Sequence, residues 1–88
     1  MKDIRFKIGS RIKELREQKN LSQKDLSFIS DLDRSYIASV ESGSRNISIV
    51  NIERIAHALN VSISDFFKSP EFQDKWQRKN YSNQLRVS

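Results

Sequence analysis

The sequence predicts an all-α domain of five short helices, with room for a sixth near the C-terminus. Three observations carry this. Apolar residues recur three and four positions apart in successive windows, from Ile4, Ile8, Ile12 and Leu15 to Ile52, Ile55, Ala56 and Leu59, which is the period of an amphipathic helix. Only two glycines and one proline stand in 88 residues, so few positions break a helix. No run alternates apolar and polar residues long enough to read as a strand. A chain of this length supports one domain around one core.

The first helix is expected over residues 4–19. Arg5, Lys7, Arg11 and Lys13 fall between its apolar positions and read as its solvated face, and Asn20 suits its end. Phe6 falls off the stripe and is free to touch a partner or the tail. Ser22 is a good N-cap with Asp25 three residues on, so a second helix covers 23–30 with Leu26 and Ile29 inward. Asp31 and Leu32 make the turn: aspartate tolerates left-handed backbone, and Leu32 plugs the angle between the two helices. Asp33 caps a third helix over 34–42, and Gly43 stops it. Ser48 caps a fourth over 49–59, and Asn60 ends it. Ser62 to Asp65 resembles a capping box, with Asp in place of Glu, and opens a short fifth helix that holds Phe66 and Phe67. Ser69, Pro70 and Glu71 mark a further start, which predicts a sixth helix over 71–79. Phe72 and Trp76 lie four apart, on one face of it. They could cover the core, extend an interface or bind another protein. Beyond Tyr81 the tail is expected to be disordered. The chain therefore divides into a folded unit, 1–68, and a C-terminal extension, 69–88.

Composition excludes several functions. Without cysteine there is neither a disulfide framework nor a cysteine-based metal site. The single histidine, His57, lies outside the apolar stripe of its helix. No nucleophile–base–orienter set is visible, so no enzyme activity, cofactor or metal is expected. No apolar run reaches membrane-span length and no signal-peptide core opens the chain, so a cytoplasmic protein without membrane contact is expected. Sixteen basic residues against eleven acidic give a net charge of +5, which suits a polyanionic partner. The excess sits in residues 1–45, with ten basic and seven acidic side chains, and in residues 69–88, with four and two. The middle of the chain is neutral.

Unrolling the third helix at about 100° per residue puts Ile37, Val40 and Glu41 on one side and Ser35, Ser39 and Ser42 opposite. Arg34 and Ala38 lie on one flank and Tyr36 on the other. The outward face lacks bulky aliphatics and is narrow enough for a groove about 12 Å wide. A glutamate on the inner side needs a partner; Arg16 is the candidate, in a structural ion pair. The fork of Arg34 matches guanine O6 and N7, or equally a phosphate. Ile47, Ile49, Val50, Ile63 and Phe67 exceed what one small core absorbs. They are expected to form a partner-facing patch, most simply a homodimer interface.

Residues 8–67 resemble the helix-turn-helix family of phage Cro and cI-type repressors, the XRE-like proteins. The resemblance rests on Ile8-Gly9, Arg11-Ile12-Lys13, Leu15-Arg16, Leu21-Ser22-Gln23, Leu26, Arg34-Ser35-Tyr36-Ile37, Glu41, Gly43, Arg45-Asn46, Ile55-Ala56, Ala58-Leu59 and Val61, in family order without a gap. Ser27 and Asp31 stand where the family usually has alanine and glycine, and Ile47 where a proline is common. The resemblance implies a compact five-helix domain with the third helix in the major groove and the second across the backbone. By position, Gln23 helps to place the domain, Arg34, Ser35, Tyr36 and Ser39 face base edges or nearby phosphates, and Ser44, Arg45 and Asn46 touch the backbone.

Within the family, Leu32 to Ile49 looks like the controller proteins of restriction–modification systems. Those are small dimers that bind operator repeats upstream of their own gene and the endonuclease gene, activating at low occupancy and repressing at high. This similarity implies a homodimeric transcription regulator that controls its own operon. Its partners would be double-stranded operator DNA, a second copy of the chain and RNA polymerase, with no small-molecule ligand. A phage-type repressor, or an antitoxin that binds a protein through its Phe72–Trp76 tail, would look similar.

Overall fold

Five α-helices follow one another, with no strand among the described residues: α1 (Ile4–Gln18), α2 (Gln23–Ser30), α3 (Arg34–Glu41), α4 (Ile49–Ala58) and α5 (Ile63–Phe66). The computed structural model describes residues 3–73. Most helix starts are set by a side-chain cap. Asp3 accepts from the Arg5 N–H at 2.8 Å, Ser48 from Asn51 at 3.1 Å and Ser62 from Asp65 at 3.0 Å. Ser22 and Asp25 form a reciprocal capping box. The backbone N–H of Ser22, and then its hydroxyl, hold the Asp25 carboxyl below the usual carboxylate range. Asp33 begins α3 without a side-chain bond.

Asn20, Asp31 and Asn60 all have φ near +60°. These are the residue types that enter the left-handed region at least cost, and each reverses the chain after a helix. α1, α3 and α4 each end one residue before the sequence-based boundary, within the usual ambiguity of a fraying end. Of the sixth helix expected over 71–79, the described part is a 3-10 turn, Pro70–Phe72. The remainder, with Trp76, and the tail beyond Tyr81 lie outside the described residues.

The core gathers Ile8, Ile12 and Leu15 of α1, Leu26 of α2, Ile37 and Val40 of α3, Ile52, Ile55 and Ala56 of α4, Leu59, and Phe66 of α5. α3 is packed between α1 and α2, while α4 joins α2 to α5. Leu32 fills the α2–α3 angle, half-buried against this cluster. Phe72 also lies on the cluster, its ring 4.9 Å from that of Phe67 and 6.3 Å from that of Phe66.

Two expectations need correction. Ile29 does not face inward but is 50% exposed; α2 is only two turns long, and its fully buried apolar contact is made by Leu26 alone. Arg11 is not on a solvated face. Its Nε donates to the Phe66 carbonyl and its Nη2 to the Asp65 carbonyl, both at 2.7 Å, and Nη1 pairs with Glu14 at 2.8 Å. The end of α5 lies beside α1, and the last carbonyls of a helix lack intrahelical donors and attract a cation.

Gly9 is buried where α1 crosses the end of α3. A Cβ there would sit 2.7 Å from the Glu41 carbonyl oxygen and closer still to that of Val40. In an isolated helix, Gly→Ala gains about 1 kcal/mol. Here the obstacle is main chain, which cannot rotate aside, and overpacking costs about 1–3 kcal/mol. Gly9→Ala is therefore expected to lower the urea midpoint with an unchanged m-value. A raised midpoint would show that the two helices can part without cost.

Candidate nucleic-acid interface

The site is built on α3. Ile37 and Val40 are buried behind it, Tyr36, Ala38 and Ser39 are half-buried, and Arg34, Ser35 and Ser42 are exposed. Glu41 lies on the inner side. Arg16 grips its carboxylate with both prongs, Nε to Oε2 at 2.7 Å and Nη2 to Oε1 at 2.9 Å, and its Nη1 donates to the Leu21 carbonyl at 2.8 Å. Hydrogen bonding to Glu41 raises the Arg16 guanidinium pKa above its ordinary value, against the opposing effect of burial. The Gln23 amide nitrogen donates to Oε1 of the same carboxylate at 3.1 Å. One carboxylate thus ties together α1, α2 and α3. Gln23, expected at the DNA, spends one amide N–H on this brace, leaving its second N–H and its carbonyl oxygen for a ligand.

On the outer side, the Tyr36 hydroxyl accepts from Asn51 Nδ2 at 3.0 Å. The Arg45 guanidinium carbon stands 5.1 Å from the Tyr36 ring centroid, a cation–π distance. Ser39 donates to the Tyr36 carbonyl at 2.9 Å; the Ser42 and Ser44 hydroxyls stand 2.9 and 3.1 Å from the Ser39 carbonyl and 2.9 Å from each other, so their two protons are shared among these three contacts. A serine hydroxyl both donates and accepts and rotates to suit, so these side chains fit either a base edge or a phosphate. Arg34, Arg45 and Asn46, all exposed, carry the donors a phosphate needs.

The structure brings Ser35, Tyr36, Ser39 and Arg45 to one open cleft of about 540 Å³, together with Asn51, Asp31 and Asp33. Arg34, Ser44 and Asn46 are exposed on α3 and the loop that follows it, and Gln23 is turned to Glu41. Asn51 is the residue that the sequence reading missed. It lies in the first turn of α4, and only the fold shows that this turn faces Tyr36.

Ile49, Val50, Ile63 and Phe67 remain on the surface and line a shallow groove with Glu53. Ile49 is 79% exposed and Val50 63%. Ile47 does not join them: the loop turns it inward, half-buried against the core.

A short helix with an apolar back and a polar front, set on a second short helix by a left-handed aspartate turn, is a helix-turn-helix unit. The helix-turn-helix family model matches residues 12–66. Control protein C.MunI from a Mycoplasma species is 42% identical over 72 residues, which span 81% of this chain and 97% of that protein. Among solved structures, the restriction–modification controller protein C.AhdI from Aeromonas hydrophila is 49% identical with a TM-score of 0.69, covering 72% of this chain and 96% of that one. The controller protein C.Esp1396I, solved as a tetramer in complex with its natural 35 base-pair operator, is 38% identical with a TM-score of 0.73, covering 77% and 90%. This chain belongs to the helix-turn-helix family and, within it, to the restriction–modification control proteins. Among the described residues, no helix is long and apolar enough to cross a membrane.

Proposed function

We propose that this chain is a dimeric, sequence-specific transcription regulator that binds operator DNA and controls its own operon within a restriction–modification system. The observation that carries the reading is the mounting of α3. A buried carboxylate fixes its inner side to two other helices, while Arg34, Ser35 and Tyr36 stand on its outer side with Arg45 beside them. That geometry supports direct readout by α3, with Ser44, Arg45 and Asn46 on the backbone. The binding of C.Esp1396I to its operator as a tetramer supports DNA and further copies of the chain as partners here. In this reading the protein acts in the cytoplasm, by binding rather than catalysis, and RNA polymerase is a further partner. Ile49, Val50, Ile63 and Phe67 form the dimer face. Residues 1–68 form the DNA-binding unit and 69–88 its extension. An antitoxin-like role for the tail is less favoured, because Phe72 is engaged with Phe66 and Phe67.

Arg34 provides the test. Arg34→Ala is expected to weaken binding to the selected operator by about 1–3 kcal/mol and to change random-duplex binding little. Equal losses on both would assign Arg34 to a phosphate. Selection from a random duplex pool is expected to return a repeated half-site with centres roughly 34–36 Å apart. A pool without any enriched repeat would overturn the reading.

A further inference from the structure

We propose that Arg11, on α1, is a positioning residue for the dimer face. The inference rests on the dimer reading above. α5 is four residues long, so its geometry depends on what holds its two ends. At its start, Ser62 caps Asp65. At its end, the Asp65 carbonyl receives the Lys68 N–H at 3.1 Å and Arg11 Nη2 at 2.7 Å. The Phe66 carbonyl receives Arg11 Nε at 2.7 Å. That carbonyl belongs to the peptide group that leads into Phe67. Glu14 holds the third nitrogen at 2.8 Å, and the Arg11 side chain is 12% exposed. A planar guanidinium fixed at three points sets both the distance and the rotation of α5 against α1.

Ile63, which opens α5, and Phe67, which follows its last residue, are the apolar side chains set beside Ile49 and Val50. The ring of Phe66 is buried in the core and anchors the helix; the peptide that follows it is held on its N–H side by the Ile63 carbonyl at 3.2 Å and on its carbonyl side by the Arg11 fork. Arg11 therefore shapes the face that meets the second copy through the main chain of α5, without itself being one of the apolar residues of that face. Lysine carries the same charge but has no planar fork, so it cannot bridge both carbonyls with the same geometry.

The test compares wild type, Arg11→Lys and Arg11→Gln by sedimentation across a concentration series and by binding to a full operator and to a single half-site. Hydrogen bonds to charged groups contribute enough that losing the fork is expected to raise the dimer dissociation constant about tenfold or more. Full-operator binding is expected to fall with it, while half-site binding holds. A purely structural role would lower both together, and that result overturns the inference, as does an unchanged dissociation constant. A wild type that stays monomeric on and off the operator would instead refute the dimer reading, and the inference with it. If Arg11→Gln fails to fold, Arg11→Lys carries the same comparison.

Discussion

Glu41→Ala is expected to remove about 3–5 kcal/mol of folding stability, the cost of breaking a buried pair and leaving one charge behind. The side chains of Arg16 and Glu41 are 10% and 4% exposed. Without the carboxylate, Arg16 keeps only the Leu21 carbonyl, and Gln23 loses its acceptor as well. Small domains hold about 5–15 kcal/mol in total, so the variant should melt more than about 10 °C lower. Glu41→Gln, which keeps the shape and one acceptor, should lose less. The Arg16 pKa is raised on folding. A raised pKa stabilises the fold fully below the unfolded value and is lost only as pH rises through the folded one, beyond arginine's ordinary range. The contribution of Arg16 is therefore constant through neutral pH. Thermal unfolding of the two variants checks this, and a loss below about 1 kcal/mol, the range of an exposed pair, would show that the pair behaves as a surface one. Operator discrimination should fall in parallel, because the end of α3 would no longer be tied to α1 and α2.

This pair illustrates what the sequence makes legible. Glu41 falls on the apolar side of a helix, and a carboxylate there demands a cation; Arg16 follows Leu15 closely enough to supply one. Helix starts are equally readable, because Ser22, Ser48 and Ser62 cap through local bonds. Long-range geometry is not written in local pattern. Arg11 reaches carbonyls more than fifty positions away, yet its own neighbourhood in sequence reads as a solvated stripe. The demand for glycine at position 9 shows only when the backbone of α3 is placed against α1. The bond of Asn51 to Tyr36 depends on the path of the loop between α3 and α4, which no local pattern records. Ile29 has the right period to be buried, but in so short a helix the neighbours decide, and they leave it half in solvent.

Ile49→Glu is expected to leave the monomer folded and to lower full-operator affinity by about 10²–10⁴-fold, the gain that linking two binding modules supplies. Ile49 is 79% exposed in the monomer, so little packing is lost. It is the first residue of α4, where a carboxylate favours the helix dipole by about 0.3–1 kcal/mol; repulsion from Glu53, four residues on, offsets a few tenths of that. In the dimer the same substitution places a carboxylate in an apolar face and, across a two-fold axis, brings it towards its own copy. Desolvation and like-charge repulsion then act together. Half-site binding, which needs only one α3, should change little. Phe28→Ser provides the control: Phe28 is 89% exposed but lies on α2, outside the Ile49–Val50–Ile63–Phe67 groove, so its loss should leave dimer and operator binding intact. The two variants separate exposure from position. If apolar exposure alone drove association, Phe28→Ser would be the more damaging change; if the groove is the interface, Ile49→Glu yields a monomer by sedimentation and Phe28→Ser does not.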